Sequence, residues 1–282
     1  MGADLRFAYA DTSFGQVHYA EQGDGPVLLL LHQTPRSWDE FRELMPLLAV
    51  DHRVIAMDMV GFGASAPVPA PQTIEVFARA AWELLDALGV ECVAVLGHHT
   101  GAAVAMEMAA ADSGRIGAVL LSSCPWTDER YRVDHAVGGG VDRAEQSADG
   151  THLQTLWDLR RPYYPEPVAG LLDRFVRDAL APGVDPAEGH RACARYRMED
   201  RIGSVTAPVL LIGAGEDPFS MPNLPVLSSR LTAAPSVRCV VIENGTVALI
   251  EREAAAVASV VRDFLTSIEV TQPNVNSAER VH

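Results

Sequence analysis

The sequence predicts an α/β fold, with a mostly parallel β-sheet flanked by helices and a helical cap inserted between two strands. Short continuous apolar runs, such as residues 27–31, are typical of strands buried on both faces of a parallel sheet. Segments with apolar residues three and four positions apart, such as residues 73–88, alternate with these runs. The alternation stops between about residues 126 and 204, where Arg, Asp, Glu, Gly and Pro become frequent, which indicates the insertion.

The continuous apolar runs predict the strands, and the apolar residues three and four positions apart predict the helices. The predicted strands are residues 14–20, 27–31, 53–59, 92–96, 116–121, 209–212 and 238–242. The predicted helices outside the insertion are residues 38–48, 73–88, 102–111 and 254–265. Inside the insertion, helical patterns cover residues 153–159, 169–180 and 189–198. The predicted domains are a core of residues 1–125 and 205–270, a helical cap of residues 126–204 and a flexible tail of residues 271–282.

Composition limits the partners of the protein. A formal net charge of −15 disfavours nucleic acid and anionic membranes, because both would repel the chain. The longest strongly apolar run is too short to cross a bilayer, and the start of the sequence has no signal-peptide pattern. Four widely spaced cysteines predict free thiols in a reducing compartment, hence a cytoplasmic protein. Without any lysine, the chain cannot form a Schiff base. Whether it forms a homodimer is left open.

The most specific motif is Gly-His-His-Thr-Gly at residues 97–101. It follows a predicted strand and precedes a predicted helix, as does the Gly-x-nucleophile-x-Gly turn that exposes a reactive side chain above a parallel sheet. His99 stands where a serine nucleophile is expected.

Four motifs in order along the chain resemble those of the α/β-hydrolase superfamily. Residues 31–38 are similar to the turn that supplies an oxyanion-hole amide, and residues 58–65 to the Asp-x-x-Gly-x-Gly-x-Ser turn. Residues 97–101 match the nucleophile elbow, and residues 213–218 occupy the place of the catalytic-acid loop, with Asp217 at the acid position. The resemblance spans nearly the whole chain. It implies an α/β-hydrolase fold and no organic cofactor.

Three positions depart from the pattern of this family. His99 replaces the serine, Thr246 replaces the triad histidine, and Gln33 replaces a glycine of the oxyanion turn. Covalent acyl chemistry through serine is therefore not expected. Histidine is longer than serine and threonine is smaller than histidine, so His99 should approach Asp217 directly or through the Thr246 hydroxyl. His99 would then act as a general base.

The resemblance also implies an oxyanion hole made by the amides of Thr34 and Thr100, which would hold a developing oxyanion or enolate. We expect a small, largely apolar carbonyl compound as the substrate, bound between sheet and cap. Ester or lactone hydrolysis, C–C cleavage, elimination and rearrangement all remain open. The alternative is a ligand-binding pseudoenzyme of the same fold.

Several further side chains are candidates for contact with the substrate, although packing or solvated roles are open for them as well. These candidates are His98, Gln33, Thr246, His152, Trp157 and Trp126. The arginines of the insertion, including Arg160 and Arg191, could meet a substrate carboxylate, but exposed salt bridges are the expected role. No metal site is expected, because the sequence has no HExxH or similarly spaced histidine pair.

Overall fold

An eight-stranded β-sheet organises the chain, of which the computed structural model describes residues 4–135 and 142–271. The strand order is β1-β2-β4-β3-β5-β6-β7-β8; β2 pairs antiparallel with both β1 and β4, and the other pairs are parallel. The strands are β1 (Arg6–Thr12), β2 (Gly15–Gln22), β3 (Val27–Leu31), β4 (Arg53–Met57), β5 (Val93–His98), β6 (Ile116–Ser122), β7 (Val209–Ala214) and β8 (Val237–Ile242). The predicted mostly parallel α/β sheet is confirmed.

Helices cover both faces of this sheet. The helices are α1 (Met45–Leu48), α2 (Ile74–Ala87), α3 (Thr100–Ala111), α4 (Glu129–His135), α5 (Thr151–Arg160), α6 (Ala169–Ala179), α7 (Glu188–Cys193), α8 (Leu224–Arg230), α9 (Leu249–Arg252) and α10 (Ala254–Thr271). One apolar core lies between the sheet and α2 and α3, and a second lies between the opposite face and α1, α9 and α10. Helices α4 to α7 occur between β6 and β7. Among the described residues, no helix is long and apolar enough to span a membrane.

Many elements differ from their predicted bounds, and strand β1 and helices α4, α8 and α9 have no counterpart in the prediction. Strand β1 is absent from the prediction; it is an edge strand whose Phe7 and Tyr9 are exposed, so it lacks a buried apolar run. The predicted helix 38–48 is a 3-10 turn followed by α1, since Pro46 in the first turn of α1 cannot extend a helix from upstream. Helix α7 ends at Cys193, short of the predicted residue 198, while α10 continues to Thr271, the first residue of the predicted tail. Residues 272–282 of that tail lie outside the described residues.

A buried arginine joins the loop after β3 to two helices. The side chain of Arg36 is 0% exposed; its Nε donates to Asp178 of α6 at 2.9 Å and its Nη1 donates to Glu251 of α9 at 2.7 Å. Glu40 lies 4.0 Å from the same guanidinium. It accepts hydrogen bonds from the amide and the side chain of Gln33, at 2.8 and 2.6 Å. Because a buried charge needs partners, these contacts hold the loop, α6 and α9 together.

The pKa of Glu40 gives the folded state a measurable pH dependence. Burial raises this pKa to about 8, although Arg36 opposes the shift. An unfolded glutamate has a pKa of about 4.3, so between these values the folded chain holds a proton that the unfolded chain has lost. The free energy of unfolding should therefore fall as pH rises from about 4.3 to about 8. Urea titrations of Glu40→Gln should show a shallower fall than wild type, and parallel pH profiles would contradict the assignment.

Two glycines allow the close packing of α3 on the sheet. A Cβ on Gly101 would lie 2.0 Å from the carbonyl oxygen of Leu31, and one on Gly97 would lie 2.0 Å from that of Gly101. We expect Gly101→Ala to lower the free energy of unfolding by about 1–3 kcal/mol, because a backbone must move. Gly170→Ala, on α6, is the matched control, since a Cβ there meets nothing within 4 Å and should stabilise by about 0.5–1 kcal/mol. Chemical denaturation measures both, and equal effects would refute the packing argument.

Candidate active site

The turn between β5 and α3 presents His99 above the carboxyl end of the sheet. His99 has φ 46° and ψ −111°, a region that side chains with a Cβ rarely occupy. Its amide donates to the carbonyl oxygen of Ser122 at the end of β6, at 3.0 Å, which holds the turn against the neighbouring strand. The main chain thus directs the imidazole out of the sheet.

The imidazole of His99 reaches a carboxylate in the loop after β7. His99 Nε2 lies 3.0 Å from Oδ2 of Asp217, which is buried. The angle at the ring N–H falls short of a hydrogen bond, so the two atoms are in close contact without an aligned hydrogen bond. Such alignment commonly improves only when a substrate is bound. The imidazole is 15% exposed, and with Nε2 buried its accessible edge is the one that carries Nδ1.

Neighbouring groups keep Asp217 ionised. Burial acts to raise its pKa, but the contact with His99 and two hydrogen bonds outweigh burial and hold the pKa well below its usual range. The donors are the hydroxyl of Ser220, at 2.6 Å, and the amide of Phe219, at 2.9 Å. A fixed, ionised carboxylate beside Nε2 favours the tautomer that leaves Nδ1 free to accept a proton.

Thr34 and Thr100 lie side by side next to His99. Their hydroxyl oxygens are 3.0 Å apart, and both residues line the same cavity as His99. Thr100 opens α3, so its amide has no partner within the helix, and the amide of Thr34 has none among the described residues. Helix α7 packs directly on Thr34, because Gly189 has no side chain; a Cβ there would lie 2.0 Å from the Thr34 hydroxyl. Two residues whose amides have no partner among the described residues therefore line the same cavity as the imidazole.

A cavity of about 400 Å³ separates this turn from helices α4, α5 and α7. Its walls combine apolar and basic side chains. The lining residues are Gln33, Thr34, His99, Thr100, Pro125, Tyr131, His135, Arg160, Ala187, His190, Arg191, Cys193, Pro218, Phe219, Asn223 and Val247.

Of the six residues predicted to contact substrate, Gln33 alone lines this cavity. His98 does not: it is fully buried, with Nδ1 3.0 Å from the Ser122 hydroxyl and Nε2 3.1 Å from the carbonyl oxygen of Val247. Burial, together with neighbouring His99, lowers the pKa of His98 to about 3, so it is a neutral packing residue. Thr246 does not line the cavity either, and its hydroxyl accepts from the amide of Ala248. His99 thus meets Asp217 without Thr246 between them.

The three predicted contacts from the insertion are also corrected. Trp126 donates its indole N–H to Asp128 at 2.9 Å, and Trp157 packs against a small apolar cluster around Tyr164. The Nδ1 atom of His152 lies 3.3 Å from the Ser147 hydroxyl. None of these three side chains lines the cavity. Each contacts the neighbouring residues just named instead.

Most of the lining residues were not predicted, among them Tyr131, His135 and Phe219, and Arg160 was expected to be exposed. Arg160 is instead buried. One signal was available: Arg160 stands four residues after Leu156, so both lie on the same face of α5, and Leu156 is buried. The position of that face depends on how α5 packs, which the sequence does not specify.

Comparisons with known proteins place the chain in a family. Residues 26–248 match the model of the α/β-hydrolase fold family. A 2-hydroxy-6-oxononadienedioate/2-hydroxy-6-oxononatrienedioate hydrolase of Paraburkholderia xenovorans is 35% identical over 230 residues, 72% of this chain and 75% of that protein. The bifunctional epoxide hydrolase 2 of Sus scrofa is 32% identical over 121 residues, 42% of this chain and 22% of that protein.

Among solved structures, the enol-lactonase from Burkholderia xenovorans superposes with a TM-score of 0.77 at 21% identity, covering 92% of this chain and 100% of that one. The chain spans only 22–40% of the length of several epoxide hydrolases and haloalkane dehalogenases that it matches. The family match, in contrast, extends from before β3 to beyond β8. Because that match covers more than half of the chain, the protein belongs to the α/β-hydrolase fold family.

Proposed function

We propose that this protein is a hydrolase in which His99, supported by Asp217, is the general base that activates water. The names of its relatives support a hydrolytic enzyme. The observation that carries the finer assignment is the 3.0 Å contact between His99 Nε2 and Asp217 Oδ2, beside the free amides of Thr34 and Thr100. The pair performs the task that a triad histidine and its acid perform in serine hydrolases, with the imidazole supplied from the elbow.

The reaction begins when Nδ1 of His99 removes a proton from a water molecule in the cavity. The water oxygen attacks the carbonyl carbon of the substrate, and the electron pair of the C=O bond moves onto its oxygen. The amides of Thr34 and Thr100 donate to this oxyanion. The oxyanion collapses, the bond to the leaving group breaks, and the imidazolium returns its proton to that group. Asp217 stabilises the imidazolium throughout, because its own carboxylate stays ionised.

An ester or a lactone is the substrate class that this route fits best. Each contains a carbonyl carbon that water can attack and a leaving oxygen that takes up the proton from Nδ1. The printed names of two relatives, an enol-lactonase and a dienedioate hydrolase, support a small carbonyl compound. A cavity of about 400 Å³ admits such a molecule.

Substitution of the base tests the proposal. His99→Ala should abolish turnover, and Asp217→Asn should lower kcat about 10²–10⁴-fold, because the ring loses its orienting charge. Glu216→Gln is the matched control: Glu216 is exposed, adjacent to Asp217, and should retain full activity. Hydrolysis of p-nitrophenyl acetate and dihydrocoumarin measures the rates, and circular dichroism verifies folding. Unchanged turnover in folded His99→Ala would overturn the proposal.

The absence of a covalent intermediate is a separate expectation. When turnover of p-nitrophenyl acetate is quenched with acid, intact-protein mass spectrometry should detect unmodified protein at every time point. An acyl mass on the peptide that contains His99, appearing and decaying at the rate of turnover, would instead identify His99 as a nucleophile.

A further inference from the structure

The cavity wall that faces His99 is basic, in a protein that is strongly acidic. Arg160, Arg191, His135 and His190 line the cavity from α4, α5 and α7, and none of the described lining residues is Asp or Glu. The chain as a whole carries 37 acidic residues and 22 lysines and arginines, so two arginines and two histidines on one cavity wall stand out from its composition. A cavity lined by charges of one sign attracts ligands of the opposite sign.

Arg160 has donor capacity that the protein does not use. Its side chain is only 9% exposed, and its Nε is buried without any hydrogen-bond partner. Nη2 donates to Asp142, whereas Nη1 has no partner among the described residues. The guanidinium carbon lies 4.9 Å from the centroid of the Phe175 ring, which fixes the side chain from one side. A buried guanidinium with free N–H groups is costly unless an acceptor completes it.

The one carboxylate beside Arg160 is shared with a second basic group. Asp142 Oδ2 also lies 2.7 Å from Nε2 of His190. One negative charge therefore serves both Arg160 and His190. Arg191 differs, because Asp185 and Glu188 both contact its guanidinium and neutralise it. Arg160 is thus the lining arginine that shares its one carboxylate partner with a histidine and keeps an Nη1 without a partner among the described residues.

From this arrangement we infer that the substrate carries a carboxylate group, which Arg160 binds at the α5 side of the cavity while the carbonyl of the substrate faces His99. The inference rests on the proposed function, since it assigns a substrate class to the cavity in which His99 acts. The substrate is then an apolar ester or lactone with one carboxylate at the end remote from the reacting bond. The Nη1 group of Arg160, which has no partner among the described residues, can donate a charge-assisted hydrogen bond to a carboxylate oxygen of the substrate.

Calorimetric binding of benzoate and benzamide tests this inference without turnover. The two probes are similar in size and differ in charge, and both are titrated into wild type and into His99→Ala. Benzoate should bind at least about tenfold more tightly than benzamide in both proteins, the ratio expected for a charge-assisted hydrogen bond. Activity of His99→Ala tests the proposed function, whereas its preference for benzoate over benzamide tests this inference. The two proposals can therefore fail independently.

Variants of two adjacent arginines locate the site. Arg160→Gln should weaken benzoate binding about 10–100-fold and leave benzamide binding within about twofold. Arg160→Lys, which keeps the charge, should retain part of the preference and guards against loss of folding in the glutamine variant. Arg161→Gln is the matched control, since Arg161 is exposed and outside the cavity, and it should match wild type. Equal affinity for the two probes in wild type, binding of neither, or an unchanged preference in folded Arg160→Gln would overturn the inference.

Discussion

The main-chain turn at His99 is the constraint on which the site depends. A Cβ at Gly97 of β5 would meet the backbone of α3, one at Gly101 would meet the carbonyl oxygen of Leu31 in β3, and His99 between them takes a positive φ. That conformation points the side chain at position 99 away from the sheet and leaves the first amide of α3 without a partner in the helix. The proposed base and one proposed oxyanion donor are thus fixed by the same few backbone angles. In the proposed mechanism the strained turn holds the imidazole of His99 in position before the substrate binds.

The remaining parts of the site come from separate elements that meet at the carboxyl edge of the sheet. Asp217 follows β7, Thr34 follows β3, and both approach the turn after β5. Strand β3 lies between β4 and β5, so the chain continues in opposite directions on its two sides, which is where open parallel sheets bind ligands. Above this edge, Arg160 and His190 line the cavity from α5 and α7. The core thus supplies the proposed chemistry, and the helices above it supply the proposed selectivity.

How far the sequence predicts this site differs from residue to residue. His99 and Asp217 were identifiable because each stands in a short motif whose backbone geometry is local: a strand, a tight turn and a helix, or a strand and its following loop. His98 lies in the same motif, yet its neighbours Ser122 and Val247 come from distant segments, so its burial was not predictable. The positions of three further side chains depend on which face of their segment is buried, and the sequence does not specify that face. These are His152, Trp157 and Trp126. Arg160 was expected to be exposed but is buried. A charged side chain is normally solvated, and only the packing of α5 buries this one.

The buried ion pairs of Arg36 tie α6 to the core. Moving α6 outward would take Asp178 from a guanidinium that is 0% exposed and would break one of its two direct ion pairs, which is destabilising in a buried setting. We therefore expect α6 to move less than segments that share no such pair. The side chain of Arg36 makes no hydrogen bond to a residue that lines the cavity, yet it limits which segments of the molecule can move.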